Sequence, residues 1–193
     1  VNRLIDYYFS PASPWSWLGH ERVAALAARY GATIGVKPVD YGVIFPQSGG
    51  LPLAKRAPQR LAYRLLELRR WKEFLGVPLN VQPRFFPVDA GPACCLICAA
   101  SEASRMALAA DCMRAVWVEE RNLADPGVVA GIAARHGVAD CAQAIAAGRP
   151  VYQANTQEAL ARQVFGAPTY VYRDELFWGQ DRLEFLERAL ERG

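Results

Sequence analysis

The order in which strand and helix patterns follow one another constrains this chain more than any single motif does. Leu4–Phe9 (LIDYYF) is an aromatic-rich run that reads as a strand. Ser10–Pro14 breaks it, and Trp15–Tyr30 carries apolar residues at helical spacing, with Gly31 as the stop. Thr33–Tyr41 is a second strand candidate in which Pro38 marks a strand end or an edge. Beyond Gly42 a Pro/Gly-rich loop (Pro46–Pro58) leads into segments that all read as helices. These are Gln59–Leu75, Ala93–Ala109 running on to Glu120, Pro126–His136 and Cys141–Ala147. After Gly148 the chain spells helix (Thr156–Phe165), break (Gly166–Pro168) and strand (Thr169–Tyr172). A turn at Arg173–Asp174, a strand (Leu176–Trp178) and an amphipathic helix (Asp181–Arg192, with Asp181 as N-cap or first-turn residue) complete it. The pattern predicts an α/β layer interrupted by an all-helical insertion. The expected division is residues 1–45 with 150–193 as one discontinuous domain and 46–149 as the inserted helical one.

Composition narrows the function classes. A hydrophobic fraction of 52% excludes a disordered chain. Lys and Arg number 22 against 19 acidic residues, a net charge of +3 with no basic cluster, so nucleic acid is not an expected partner. The densest basic stretch, Arg60–Lys72, reads as one solvated helix face. No apolar run is long enough for a membrane span. With Arg3 and Asp6 inside the first apolar stretch and no export signal pattern, a cytoplasmic location is expected.

Five cysteines do not make a disulfide scaffold in a chain of this length. Cys95 and Cys98 match C-x-x-C, but no strand precedes them and they do not open a helix, so they read as small apolar residues in a helix interface. The two histidines, His20 and His136, lack metal spacing to the cysteines, so no metal is expected, and each reads as a partly exposed helix histidine. What stands out is Phe9-Ser10-Pro11-Ala12-Ser13-Pro14-Trp15-Ser16-Trp17, where a strand ends and a helix opens with Pro14 in its first turn. Ser13 there either caps the helix or joins the helix N-terminus in holding an anion, and composition alone favours the cap.

Ser13-Pro14-Trp15-Ser16 occupies the place of the C-P-x-C site in thioredoxin-like oxidoreductases of the DsbA type. Val164-Phe165-Gly166-Ala167-Pro168-Thr169 looks like the loop carrying their cis-proline. Further segments point the same way: Tyr63…Glu67…Arg70-Trp71, Ala115-Val116-Trp117, Asn155-Thr156 and Phe177–Arg182. Over nearly its whole length the chain resembles the kappa-class glutathione transferases and, more closely, the 2-hydroxychromene-2-carboxylate isomerase family.

The resemblance implies a thioredoxin-like fold with a large helical insertion, glutathione as cofactor and a small aromatic substrate. It also implies a homodimer, as is common among relatives. Carried over, Ser13 is the catalytic serine facing the glutathione sulfur. Arg60 falls where kappa-class relatives place a lysine for the glycyl carboxylate. Ala167, before a cis Pro168, offers its backbone to the cysteinyl part, and Gln180 and Asp181 meet the γ-glutamyl end. The implied reaction interconverts 2-hydroxychromene-2-carboxylate and trans-o-hydroxybenzylidenepyruvate by reversible thiolate addition. Tyr7, Trp15, Trp17 and Phe86 are candidates for the substrate pocket or the core. Two departures stand out: Gly50 replaces a frequent glutathione-contacting asparagine, and Asp89 replaces another asparagine. The rival readings are a kappa-like transferase or peroxidase and a non-catalytic thioredoxin-fold binding module.

Overall fold

The computed structural model describes residues 3–193. Strand β1 (Leu4–Phe9) lies inside a four-stranded sheet of order β2-β1-β3-β4, with β2 at Thr33–Pro38, β3 at Thr169–Tyr172 and β4 at Glu175–Trp178. It pairs parallel with β2, Leu4 opposite Thr33 through Phe9 opposite Pro38, and antiparallel with β3. Being central, β1 is buried on both faces. Period-two alternation sends Ile5, Tyr7 and Phe9 into the main core and Tyr8 into a smaller one with Val39, Ile44, Ala159 and Val171. The Tyr7 ring stacks on Phe9 at 4.5 Å and on Tyr170 at 5.4 Å.

Helix α1 (Pro14–Arg29) crosses between β1 and β2. It is followed by α2 (Tyr41–Ser48), α3 (Pro58–Leu75), α4 (Gly91–Ala99), α5 (Glu102–Trp117), α6 (Pro126–Arg135), α7 (Cys141–Ala161) and α8 (Leu183–Glu191). The caps are written in the sequence: Asp40, Asp125 and Asp140 accept from backbone N–H groups at the starts of α2, α6 and α7. α8 buries Leu183, Leu186 and Leu190 at helical spacing, and its Glu187 pairs with Arg29 at 3.0 Å.

The α/β architecture with a helical block stands as expected, while several boundaries differ. Tyr41 opens α2 instead of ending a strand, because Asp40 caps a helix there and Pro38 closes the ladder. The helix expected from Ala93 to Glu120 breaks at Ala100–Ser101, where Arg105 donates to the Cys98 and Ala100 carbonyls and so satisfies the end of α4. Conversely, the two helices expected at Cys141–Ala147 and Thr156–Phe165 are one, α7, which continues through Pro150. Packing against α4 holds it. Gly148 sits so close to α4 that a Cβ would collide with the Cys95 carbonyl. Gly148→Ala is therefore expected to destabilise the protein by about 1–3 kcal/mol. At roughly 2–4 °C of Tm per kcal/mol for a chain of this length, calorimetry checks it; an unchanged Tm would mean that the two helices can separate freely.

His20, expected to be partly exposed, is 1% exposed. Its Nε2 lies 2.9 Å from the Met106 carbonyl and must carry the proton, which leaves Nδ1 to accept from the Tyr7 hydroxyl at 3.3 Å. Burial lowers its pKa from the ordinary 6.5, partly opposed by the Met106 contact and Glu21. A histidine held neutral contributes stability above its unfolded pKa and loses it as pH falls toward the lower folded value. The unfolding free energy should thus fall between pH 7.5 and pH 5, and by less in His20→Gln; equal slopes in denaturant titrations would count against this linkage.

Candidate active site

The turn between β1 and α1 is held from the helical block. Trp117, fully buried at the end of α5, donates from Nε1 to the Pro11 carbonyl at 2.9 Å, and Trp17 donates likewise to Pro78 at 2.8 Å. The turn thus cannot drift without unpacking the core. At its end Ser13, half-buried with extended backbone, accepts from the Ser16 N–H at 3.2 Å through Oγ. That bond uses a lone pair only, so the Ser13 O–H is free to donate outward. Ser16, one turn later, is completely buried, and its hydroxyl finds no partner. Neither position carries sulfur.

A cleft of about 580 Å³ opens beside this helix start, within the roughly 300–1,000 Å³ typical of small-molecule sites. Its lining is drawn from Trp15, from α3 and the residue Arg56 before it, from Ala167 and from the segment Trp178 to Arg182. Four residues singled out in the sequence, Arg60, Ala167, Gln180 and Asp181, therefore line a single cleft, although they come from distant parts of the chain. The Ala167–Pro168 bond is cis, as is Phe86–Pro87. Pro168 accepts from the Gly179 N–H at 2.8 Å, while neither backbone group of Ala167 has a partner among the described residues.

Several residues take other places than expected. Asp181 does not cap the last helix: it lies in a 3-10 turn, Gln180–Arg182, and pairs with Arg182 at 2.7 Å. Gln180 is 1% exposed, and both its carbonyl and its side-chain oxygen accept from Arg22. Tyr7 and Trp17 belong to the core and Phe86 packs on Trp117 at 4.9 Å, which leaves Trp15 as the cleft aromatic of that set. The Arg60–Lys72 face is not simply solvated, for Arg64, Glu67 and Trp71 line the cleft and Leu68 is fully buried. Arg64 and Trp178 were not singled out as site residues. The signal for Arg64 was its place one helical turn after Arg60.

Asp89 lies apart from this cleft, in a second cavity of about 470 Å³ that touches the same turn at Ser10 and Ala12. A side chain at Gly50 would strike the Phe45 ring, so an asparagine there would require that ring to move. The C-x-x-C cysteines sit inside α4, packed on α7. Burial raises both thiols, that of Cys98 to about 12 with Cys95 adding to it, so neither is a poised nucleophile. Among the described residues no cluster suits a metal ion, and no helix is long and apolar enough to cross a membrane.

A strand–turn–helix start at Ser13, a cis-proline directly after the cleft residue Ala167, and a helical block between the halves of the sheet together define a class. The DSBA-like thioredoxin domain family model matches residues 4–191, and the chain belongs to that family. Within it, the chain is 30% identical to 2-hydroxychromene-2-carboxylate isomerase of Pseudomonas putida, over 98% of this chain and 95% of that one. A solved 2-hydroxychromene-2-carboxylate isomerase superposes with a TM-score of 0.86 at 28% identity, over 98% of this chain and 95% of that one. Glutathione S-transferase kappa 1 of Caenorhabditis elegans matches 42% of this chain at 33% identity, spanning 36% of its own length.

Proposed function

We propose that this protein is a glutathione-dependent isomerase interconverting 2-hydroxychromene-2-carboxylate, or a close aromatic analogue, and trans-o-hydroxybenzylidenepyruvate. The observation that carries the reading is a serine, not a cysteine, at the start of α1, beside a cleft whose donors suit a γ-glutamyl-cysteinyl-glycine. A guanidinium at Arg60 can meet the glycyl carboxylate. The unpaired backbone groups of Ala167 can pair with the cysteinyl unit as an edge strand would. Pro168 holds that edge, Asp181 can meet the γ-glutamyl ammonium, and Gln180 positions it through its own anchorage to Arg22. When bound, glutathione would supply a thiolate for reversible addition to the conjugated enone of the ring-opened substrate. Ser13 donates its free O–H toward the sulfur position, and the N-terminus of α1 adds its positive dipole end. Trp15 and Trp178 offer flat apolar surface for the aromatic ring.

Five free thiols fit a reducing, cytoplasmic setting, and the exposed Leu66 and Phe74 on α3 support assembly as a homodimer. Turnover followed by NMR with the chromene substrate tests the reading. Glutathione should be required and fully recovered. Accumulation of a conjugate would favour the transferase reading, and saturable glutathione binding without turnover would favour a binding module.

A further inference from the structure

Five charged side chains besides Arg60 line the cleft, and most have a partner. Glu67 is bound by Arg70 at 2.7 Å and Asp181 by Arg182 at 2.7 Å. The Arg56 guanidinium donates from Nε to the Leu51 carbonyl at 2.9 Å, which ties down the loop before α3. Arg64 is different. Half-buried, it has no carboxylate and no hydrogen-bond partner among the described residues, and its guanidinium lies over the Phe86 ring, 5.3 Å from the centroid. Phe86 rests on Trp117, which holds the Pro11 carbonyl, so a short ladder of aromatic contacts connects Arg64 with the turn that carries Ser13.

A guanidinium partly removed from water without an anion is costly, the Phe86 face offsets that only in part, and an arriving anion recovers the remainder. Burial, with Arg56 nearby, pushes the Arg64 pKa down to about 10, still high enough to keep it charged at neutral pH. Glutathione does not use up this charge. Glutathione carries two carboxylates and one ammonium: the exposed Arg60 is available for the glycyl carboxylate, Asp181 for the ammonium, and Arg182, 2.7 Å from Asp181 in the same lining, for the α-carboxylate borne by the same carbon as that ammonium.

The geometry points to Arg64 as the residue that receives the carboxylate of the aromatic substrate by paired N–H···O bonds, making the cleft selective for aromatic carboxylates over their neutral counterparts. This rests on the isomerase reading for the identity of the cleft's other occupant. It adds a specificity-determining residue to that reading.

The test compares trans-2-hydroxycinnamate with its methyl ester, titrated into the protein with and without glutathione and read by tryptophan fluorescence, since Trp15, Trp71 and Trp178 line the cleft. Wild type should bind the acid about tenfold or more tightly than the ester. Arg64→Gln should bring the acid down to the ester's affinity while glutathione affinity stays unchanged, and Arg64→Lys should keep part of the preference. Equal binding of acid and ester by the wild type, including no binding of either, overturns the proposal. So does a preference that survives Arg64→Gln, or a loss of glutathione affinity in that variant. Should Arg64→Gln not fold, an undiminished preference in Arg64→Lys overturns it equally. Failure of the isomerase reading shows separately, as absence of glutathione binding or turnover, while the acid–ester comparison is still read on the protein alone.

Discussion

Ser13→Ala is expected to lower isomerisation at neutral pH by roughly 10–100-fold, the range set by losing one hydrogen bond to a charged group. The same substitution removes only the cap that accepts from the Ser16 N–H, a loss of about 0.5–2 kcal/mol that a folded domain tolerates. The two effects separate because they use different parts of one hydroxyl: a lone pair serves the cap and the O–H serves the thiolate. Removing the donor destabilises the thiolate relative to the thiol, so the bound thiol's pKa rises and the rate profile moves to higher pH. The remaining N–H groups of α1 keep the loss partial. Thiolate absorbance against pH, paired with kinetics, decides the matter. If the mutant thiol titrates at the wild-type pH and turnover is unchanged, Ser13 is a helix cap and nothing more.

Asp181→Asn should weaken glutathione binding by about tenfold with the fold intact, because the substitution keeps the shape and removes the charge that meets the γ-glutamyl ammonium. The carboxylate has a local partner in Arg182, 2.7 Å away, so the change also leaves that guanidinium without its counter-charge. Calorimetry reads the affinity directly, and an unaltered value would confine Asp181 to its ion pair with Arg182.

The sequence carried the local features well. The aromatic run of β1, the aspartate caps and the Ser13-Pro14 helix start depend on a few adjacent residues whose conformational preferences are strong. Two errors have a common source, the reading of α-helical boundaries from propensity alone. Ala-rich pattern suggested one helix from Ala93 to Glu120, yet Arg105 folds back to close α4. The pattern ends one helix at Ala147 and starts another at Thr156, yet Gly148 lets α7 lie against α4 and the helix runs on through Pro150. Both outcomes depend on contacts between residues, and propensity describes residues singly.

By itself the sequence determined which short segments become strands and helix starts, and that no sulfur stands at positions 13 and 16. Through resemblance it also pointed to Ser13, Arg60, Ala167, Gln180 and Asp181. Only the tertiary structure decided that Arg60, Ala167, Gln180 and Asp181 line one cleft, that Tyr7 and Trp17 are core while Trp15 is wall, and that Arg64 lacks a partner. The physical reason is that burial and charge pairing belong to pairs of distant residues. A side chain's periodicity tells which way it points along its own helix, but what it meets there is set by whichever element packs opposite.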